Sequence, residues 1–249
     1  GGDDAATAIM TTDSVAKKAV CDCNNKWIIG GMAKGAGMLA PGLATMLVVI
    51  TTDAIINQED LQTALTQAVN ESFNRIDSDG CMSTNDTVIA MSSGASGEVA
   101  DIAQFTECLT GVCMSLARQL IADAEGATKD IKITVKNAAS DDDAVDVARA
   151  VSRSNLLKCA IHGEDPNWGR VLSALGTTSA AFEADQIDVA FNGVAVCKNG
   201  ACMDDEPVVD LSDREVEITI NLNAGNNTAA LWTNDLTAMY VHENSAYST

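Results

Sequence analysis

A lysine and five glycines fall within the thirteen residues from Gly30 to Gly42, and the segment then runs through Leu43-Ala44-Thr45-Met46-Leu47 into an apolar stretch. Glycine adopts backbone conformations that other residues avoid, so one reading is a tight turn leading into a buried element. A phosphate loop is excluded: Lys34 is followed by Gly35 rather than Ser or Thr, and the glycine spacing upstream is wrong. The other reading is a nucleophile held by the turn, with Thr45 as that nucleophile. A threonine hydroxyl attacks poorly until a base takes its proton. A free α-amino group on the same residue can do so, which requires Thr45 to become an N-terminus. The residues alone leave both readings open.

Composition narrows the partners. The chain has 249 residues, of which 47% are hydrophobic, enough for a sizeable core. Its formal charge of −20 repels phosphate backbones and anionic lipid surfaces, so neither nucleic acid nor membrane is an expected partner. The apolar run Leu43–Ile50 is too short to span a bilayer and is broken by Thr45. Eight cysteines accompany only two histidines, and the close pairs Cys21/Cys23 and Cys197/Cys202 lack zinc-knuckle spacing, so no metal site is expected. No basic-then-apolar leader opens the sequence. The thiols are therefore expected to be reduced and the compartment cytoplasmic, or an organelle in a eukaryotic source.

Periodicity predicts a mixed α/β fold. Leu61, Leu65, Ala68, Val69 and Phe73 mark a helix over 57–76, and Ile102 through Leu120 mark another over 101–125. Ile131, Ile133 and Val135 alternate as a strand, and Ser140 can cap a helix through Val151. Beyond residue 180 strands dominate. Asn192-Gly193 marks a hairpin, Val216 to Leu222 alternate cleanly, and 229–241 is expected to pair with them. The expected organisation is an α/β domain over 1–180 followed by a smaller β-rich part over 181–249.

The segment Lys34-Gly35-Ala36-Gly37-Met38, with Pro41 and Ala44-Thr45-Met46-Leu47, resembles the ornithine acetyltransferase (glutamate N-acetyltransferase) family. Further blocks resemble that family in the same order. They are Thr11-Thr12-Asp13, Thr51-Thr52-Asp53-Ala54, the run from Asp79 to Thr87, Asp123 to Lys129, Asp165-Pro166-Asn167-Trp168-Gly169-Arg170, and Glu243 to Tyr247. Together they span nearly the whole chain.

The resemblance implies a mixed-sheet α/β sandwich that cuts its own Ala44–Thr45 bond. It implies that Thr45 then carries an acetyl group from N-acetylornithine to glutamate by a ping-pong route. No cofactor is implied, and acetyl-coenzyme A is a possible second donor. The substrate-binding positions that carry over are Thr11, Lys34, Thr45, Glu125, Asn244 and Thr249. Ser83, Thr84, Asn85 and Asp86 could support the site, while the Asp165–Arg170 block is expected to be structural. Relatives assemble as pairs of cleaved heterodimers, so a heterotetramer of two α and two β chains is expected.

Two departures from the family pattern stand out. Members carry a long segment before the Thr-Thr-Asp block, with a Thr-Gly pair that forms the oxyanion hole. This chain begins ten residues before Thr11 and offers no candidate for that pair. Cys21, Cys23, Cys81 and Cys159 also belong to no family motif. The competing readings are an N-terminal-nucleophile amidase or aminopeptidase, with water as acyl acceptor, and a non-catalytic remnant of the family.

Overall fold

The computed structural model describes residues 1–39, 46–81, 85–203 and 207–246. The chain divides into two compact units. One comprises Gly1–Ile76 with Cys81–Ala124, the other Asp77–Gly80 with Glu125–Thr249.

In the first unit, helix α1 (Gly2–Ala8) precedes strands β1 (Lys17–Cys23), β2 (Trp27–Lys34) and β3 (Leu47–Thr52). Helix α2 (Gln58–Glu71), strand β4 (Thr87–Ser92) and helix α3 (Ile102–Ala122) follow. The sheet order is β1-β2-β3-β4, antiparallel except for the parallel β3/β4 pair. Alternation turns Cys23, Trp27, Ile29, Val48 and Ile50 inward, where they are buried. Trp27 meets Phe105 of α3 at a ring-centroid distance of 5.5 Å. α3 lies so close that a Cβ on Gly31 would come within 2.9 Å of Leu116. The other face carries Val20, Ile28, Leu47, Ile89 and Met91, all exposed. Asn57 caps α2 by accepting from the Asp60 amide at 2.9 Å. The helix stops at Glu71, short of the expected Ile76, because residues 73–75 tighten into a 3-10 turn.

The second unit holds strand β5 (Asp130–Ala138) and helices α4 (Asp141–Ser152), α5 (Asn155–His162) and α6 (Trp168–Leu175). Strands β6 (Asp188–Phe191), β7 (Val194–Lys198), β8 (Ala201–Cys202), β9 (Glu215–Asn221) and β10 (Asn227–Asn234) follow, then helix α7 (Ala238–Ala246). Sheet order is β10-β5-β9-β6-β7-β8, with β5/β9 parallel. α4 packs on β5 and β10, and α6 on β6. Val147, Val151, Ile133, Val135, Ile218, Ile220 and Leu231 are among the core residues. Asn192 and Gly193 take φ of 46° and 80°, the left-handed pair that the predicted hairpin needs.

Both sheets are mixed, as the α/β class requires. Residue 180 falls inside the second unit, because β5, before it, sits in one sheet with β6 to β10, after it. The strand expected over 229–241 pairs with β5 instead of β9. Only Asn227–Asn234 is strand, and the chain turns helical from Ala238. β9 is occupied on both sides, by β5 and β6, and has no free edge to offer β10.

Candidate functional site

Thr11 and Lys34 meet in the first unit. Lys34 ends β2, is almost fully buried, and donates from Nζ to Thr11 Oγ1 at 3.5 Å. Among the described residues no carboxylate is paired with Lys34. A second buried lysine is Lys17, at the start of β1. Its Nζ donates to Asp13 Oδ1 and to Asp123 Oδ2, each at 2.6 Å. Asp13 also accepts the Gly35 amide on Oδ1 at 2.7 Å and the Thr11 amide on Oδ2 at 3.2 Å. Burial pushes the Asp13 carboxyl up, but the Lys17 ammonium and the amides of Gly35 and Thr11 prevail and hold it below the usual carboxylate range. Asp123 in turn accepts the Ser14 amide at 3.0 Å and the Ser14 hydroxyl.

Ala44 and Thr45 lie outside the described residues. The neighbouring Met46 is buried, and its amide donates to Asp86 Oδ1 at 2.7 Å. Ser83 and Thr84 also lie outside the described residues.

Glu125 and Asn244 meet in the second unit. Asn244 Nδ2, on α7, donates to Glu125 Oε2 at 3.0 Å and to the carbonyl of Tyr240, one turn earlier, at 3.0 Å. Burial raises the Glu125 pKa and the charges of Glu243 and Asp79 add to the rise, while Asn244 opposes it. Gly126 lets the loop approach α7. Its φ is +67°, and a Cβ there would stand 2.3 Å from the Tyr240 amide nitrogen. The Thr237 hydroxyl donates to the Gly126 carbonyl at 2.7 Å and accepts the Tyr240 amide at 2.9 Å. Asp235 accepts the Thr128 and Lys129 amides on one oxygen, at 2.8 and 2.9 Å, and meets the Thr128 hydroxyl and His162 Nδ1 with the other. Burial drives the Asp235 carboxyl up, yet these partners bring it below its ordinary value. Thr249 lies outside the described residues.

The Asp165–Arg170 block is structural in position. Asn167 caps α6 by accepting the Arg170 amide at 3.2 Å, and Arg170 donates to the Leu156 carbonyl at 2.7 Å. Sequence reasoning missed Lys17 and Asp235 and gave Asp13 no role, although Asp13 stands in the quoted Thr-Thr-Asp block. Asp13 is a neighbour of Lys17 in sequence, but its other partner, Asp123, stands 106 residues away and leaves no local signal.

A buried ammonium beside a hydroxyl can take up a carboxylate, and a carboxylate beside a carboxamide can take up an ammonium group. Among the described residues no cluster of three or more His, Cys, Asp or Glu could hold a metal ion, and no described helix is long and apolar enough to cross a membrane.

Residues 2–249 match the model of the ArgJ family. The chain is 62% identical over 248 residues to the arginine biosynthesis bifunctional protein ArgJ of Streptomyces coelicolor, covering 100% of this chain and 64% of that protein. It is 59% identical to the protein of the same name in Thermobifida fusca, covering 100% of this chain and 65% of that one. It thus spans about two-thirds of the length of these curated relatives. The crystal structure of arginine biosynthesis bifunctional protein argJ from Bacillus halodurans superposes with a TM-score of 0.74 at 37% identity, covering 81% of this chain and 98% of that one. That solved chain is therefore shorter than this one, whereas the curated relatives are longer.

Proposed function

Because the chain belongs to the ArgJ family, we propose that it carries the nucleophile and substrate-binding residues of an acetyltransferase of arginine biosynthesis. That enzyme moves an acetyl group from N-acetylornithine to glutamate. The observation that carries this reading is the buried Lys34–Thr11 pair, a cation with no described carboxylate partner at the head of the segment that leads to Thr45. Leaving a charge buried and unpaired is costly, so the pair suits a substrate carboxylate. The Glu125–Asn244 pair suits the ammonium group. Thr249, by resemblance, adds a hydroxyl.

The precursor first cuts itself. The Thr45 hydroxyl attacks the Ala44 carbonyl and the peptide becomes an ester. That shift breaks the C–N bond and frees the Thr45 amine, and water then hydrolyses the ester to the Ala44 carboxylate and the Thr45 hydroxyl. That amine takes the proton of its own hydroxyl. The hydroxyl oxygen attacks the acetyl carbonyl of N-acetylornithine, the C–N bond breaks, and ornithine leaves with a proton on its nitrogen. Glutamate's amine then attacks the Thr45 ester, and N-acetylglutamate departs. One amide replaces another, so no cofactor is consumed. Acetyl-coenzyme A would serve as an alternative donor to the same hydroxyl.

By resemblance, relatives carry their oxyanion-hole donors in a segment upstream of the Thr-Thr-Asp block, and losing one such donor costs about two to three orders of magnitude in rate. The full-length protein is therefore the form to assay. Two cleaved heterodimers in the cytoplasm complete the reading. Its test is acetyl transfer by the full-length protein: N-acetylglutamate should form from N-acetylornithine and glutamate and vanish in Thr45→Ala. Release of free acetate without a need for glutamate would instead make the protein an amidase.

A further inference from the structure

We propose that Asp13 is a positioning residue that sets the spacing of Thr11 and Lys34, and so the affinity for the substrate's α-carboxylate; this rests on the acetyltransferase reading above. One buried carboxylate joins two separate stretches of chain. Oδ2 takes the amide of Thr11, and Oδ1 takes the amide of Gly35, the residue bonded to Lys34. Gly35 has a φ of +146°, so the turn after Lys34 needs an external hold as well as a glycine.

Asp13 does this without neutralising Lys34. Its charge is met by Lys17, whose ammonium also reaches Asp123 at 2.6 Å and the Val15 carbonyl at 3.4 Å. Lys17 therefore has three oxygen acceptors for three N–H donors, and among the described residues Lys34 makes no ion pair with either aspartate. The arrangement separates two tasks. Lys17 keeps Asp13 ionised, Asp13 holds the two amides, and Lys34 remains available for an incoming anion.

The chemistry makes Asp13→Asn a sharp probe. Both oxygens of Asp13 accept from N–H donors. An asparagine must therefore turn its own NH2 against either the Thr11 amide or the Gly35 amide and Lys17. The volume is kept and the hold is broken. Asp123→Asn is the control. It weakens the same Lys17 cluster and the Ser14 contact but leaves both Asp13-bound amides in place.

The experiment uses the full-length, processed enzyme and reads KM and kcat for N-acetylornithine and glutamate, with kcat counted per site that becomes acetylated. p-Nitrophenyl acetate, which has no carboxylate, serves as a second acyl donor to Thr45. Asp13→Asn should raise KM for both amino-acid substrates by about tenfold or more, while kcat per acetylated site and acylation by p-nitrophenyl acetate stay within about threefold of wild type. Asp123→Asn should lower thermal stability but leave both KM values unchanged. Should Asp13→Asn fail to fold, Asp13→Glu keeps both acceptors and the Lys17 pair but moves them by a methylene, and it should raise KM in the same sense. Unchanged KM in the folded Asp13 variant, or an equal rise in Asp123→Asn, overturns the proposal while the acetyltransferase reading stands. A wild-type enzyme that transfers no acetyl group overturns both.

Discussion

Lys17 in the first unit ends between two carboxylates, whereas Lys129 in the second ends among the main-chain carbonyls of Leu211, Ser212 and Asp213, at 2.5, 2.9 and 2.9 Å. Its nearest carboxylate, Glu164, is longer at 3.4 Å and half exposed. Lys158 follows the second pattern, donating to the Ser78 carbonyl and to the Thr233 hydroxyl at 3.3 Å. Its pKa is lowered because burial outweighs the favourable charges of Asp77, Asp79 and Asp235. The two solutions have different consequences. Carbonyls do not titrate, so their hold on a lysine weakens only when the lysine itself loses its proton. Carboxylates give a stronger but titratable clamp, and each has a second oxygen with which to fix backbone amides. Through Asp13 the titratable clamp binds the amides of Thr11 and of Gly35, the residue after Lys34.

The largest effect expected is from Lys17→Met. It leaves Asp13 and Asp123 buried without their cation and should cost about 3–5 kcal/mol in urea unfolding. Lys129→Met strips three neutral carbonyls of a donor, together with the longer contact to the half-exposed Glu164, and should cost about 2 kcal/mol. A greater loss at Lys129 would break the comparison.

Next come two glycines with left-handed φ. Gly126→Ala, with the Tyr240 backbone in the way, should cost about 2–3 kcal/mol and disturb the Glu125–Asn244 contact. Gly97→Ala, at φ +75° with open space around it, should cost only about 1 kcal/mol.

The pH dependence sharpens the same contrast. Asp13 and Asp235 have folded pKa values below the ordinary 3.8. The stability they contribute is complete above 3.8 and is lost as pH falls through their folded values. Glu125 runs the other way. Its folded value lies above the ordinary 4.5, so stability falls as pH rises from 4.5 through that value. Glu125→Gln should remove that fall, and Asp13→Asn should blunt the acid-side loss, both read from unfolding free energy against pH. The smallest effect is at helix caps, where Asn57→Ala and Ser140→Ala should each cost about 1 kcal/mol in either unit.

Much of this architecture could be read from local pattern. The alternation of Val216, Ile218 and Ile220, the Asn192-Gly193 turn and the caps at Asn57 and Ser140 all stand where residue spacing puts them. Strand pairing could not be read so. β10 follows β9 in sequence yet pairs with β5, since partner choice depends on which edges other strands leave open. The site shows the same divide. Thr11, Lys34, Glu125 and Asn244 were found through motifs, and the structure brings them together as two pairs. Lys17 with Asp123, 106 residues apart, and Thr128 with Asp235, 107 apart, carry no periodic signal. They exist only once the fold has closed.

The most direct test of the account is the intact mass, under denaturing conditions, of the full-length protein with and without N-acetylornithine. The account predicts two chains, one ending at Ala44 and one beginning at Thr45, with a single acetyl group added to the second when substrate is present. One unbroken chain that gains no acetyl group would contradict it.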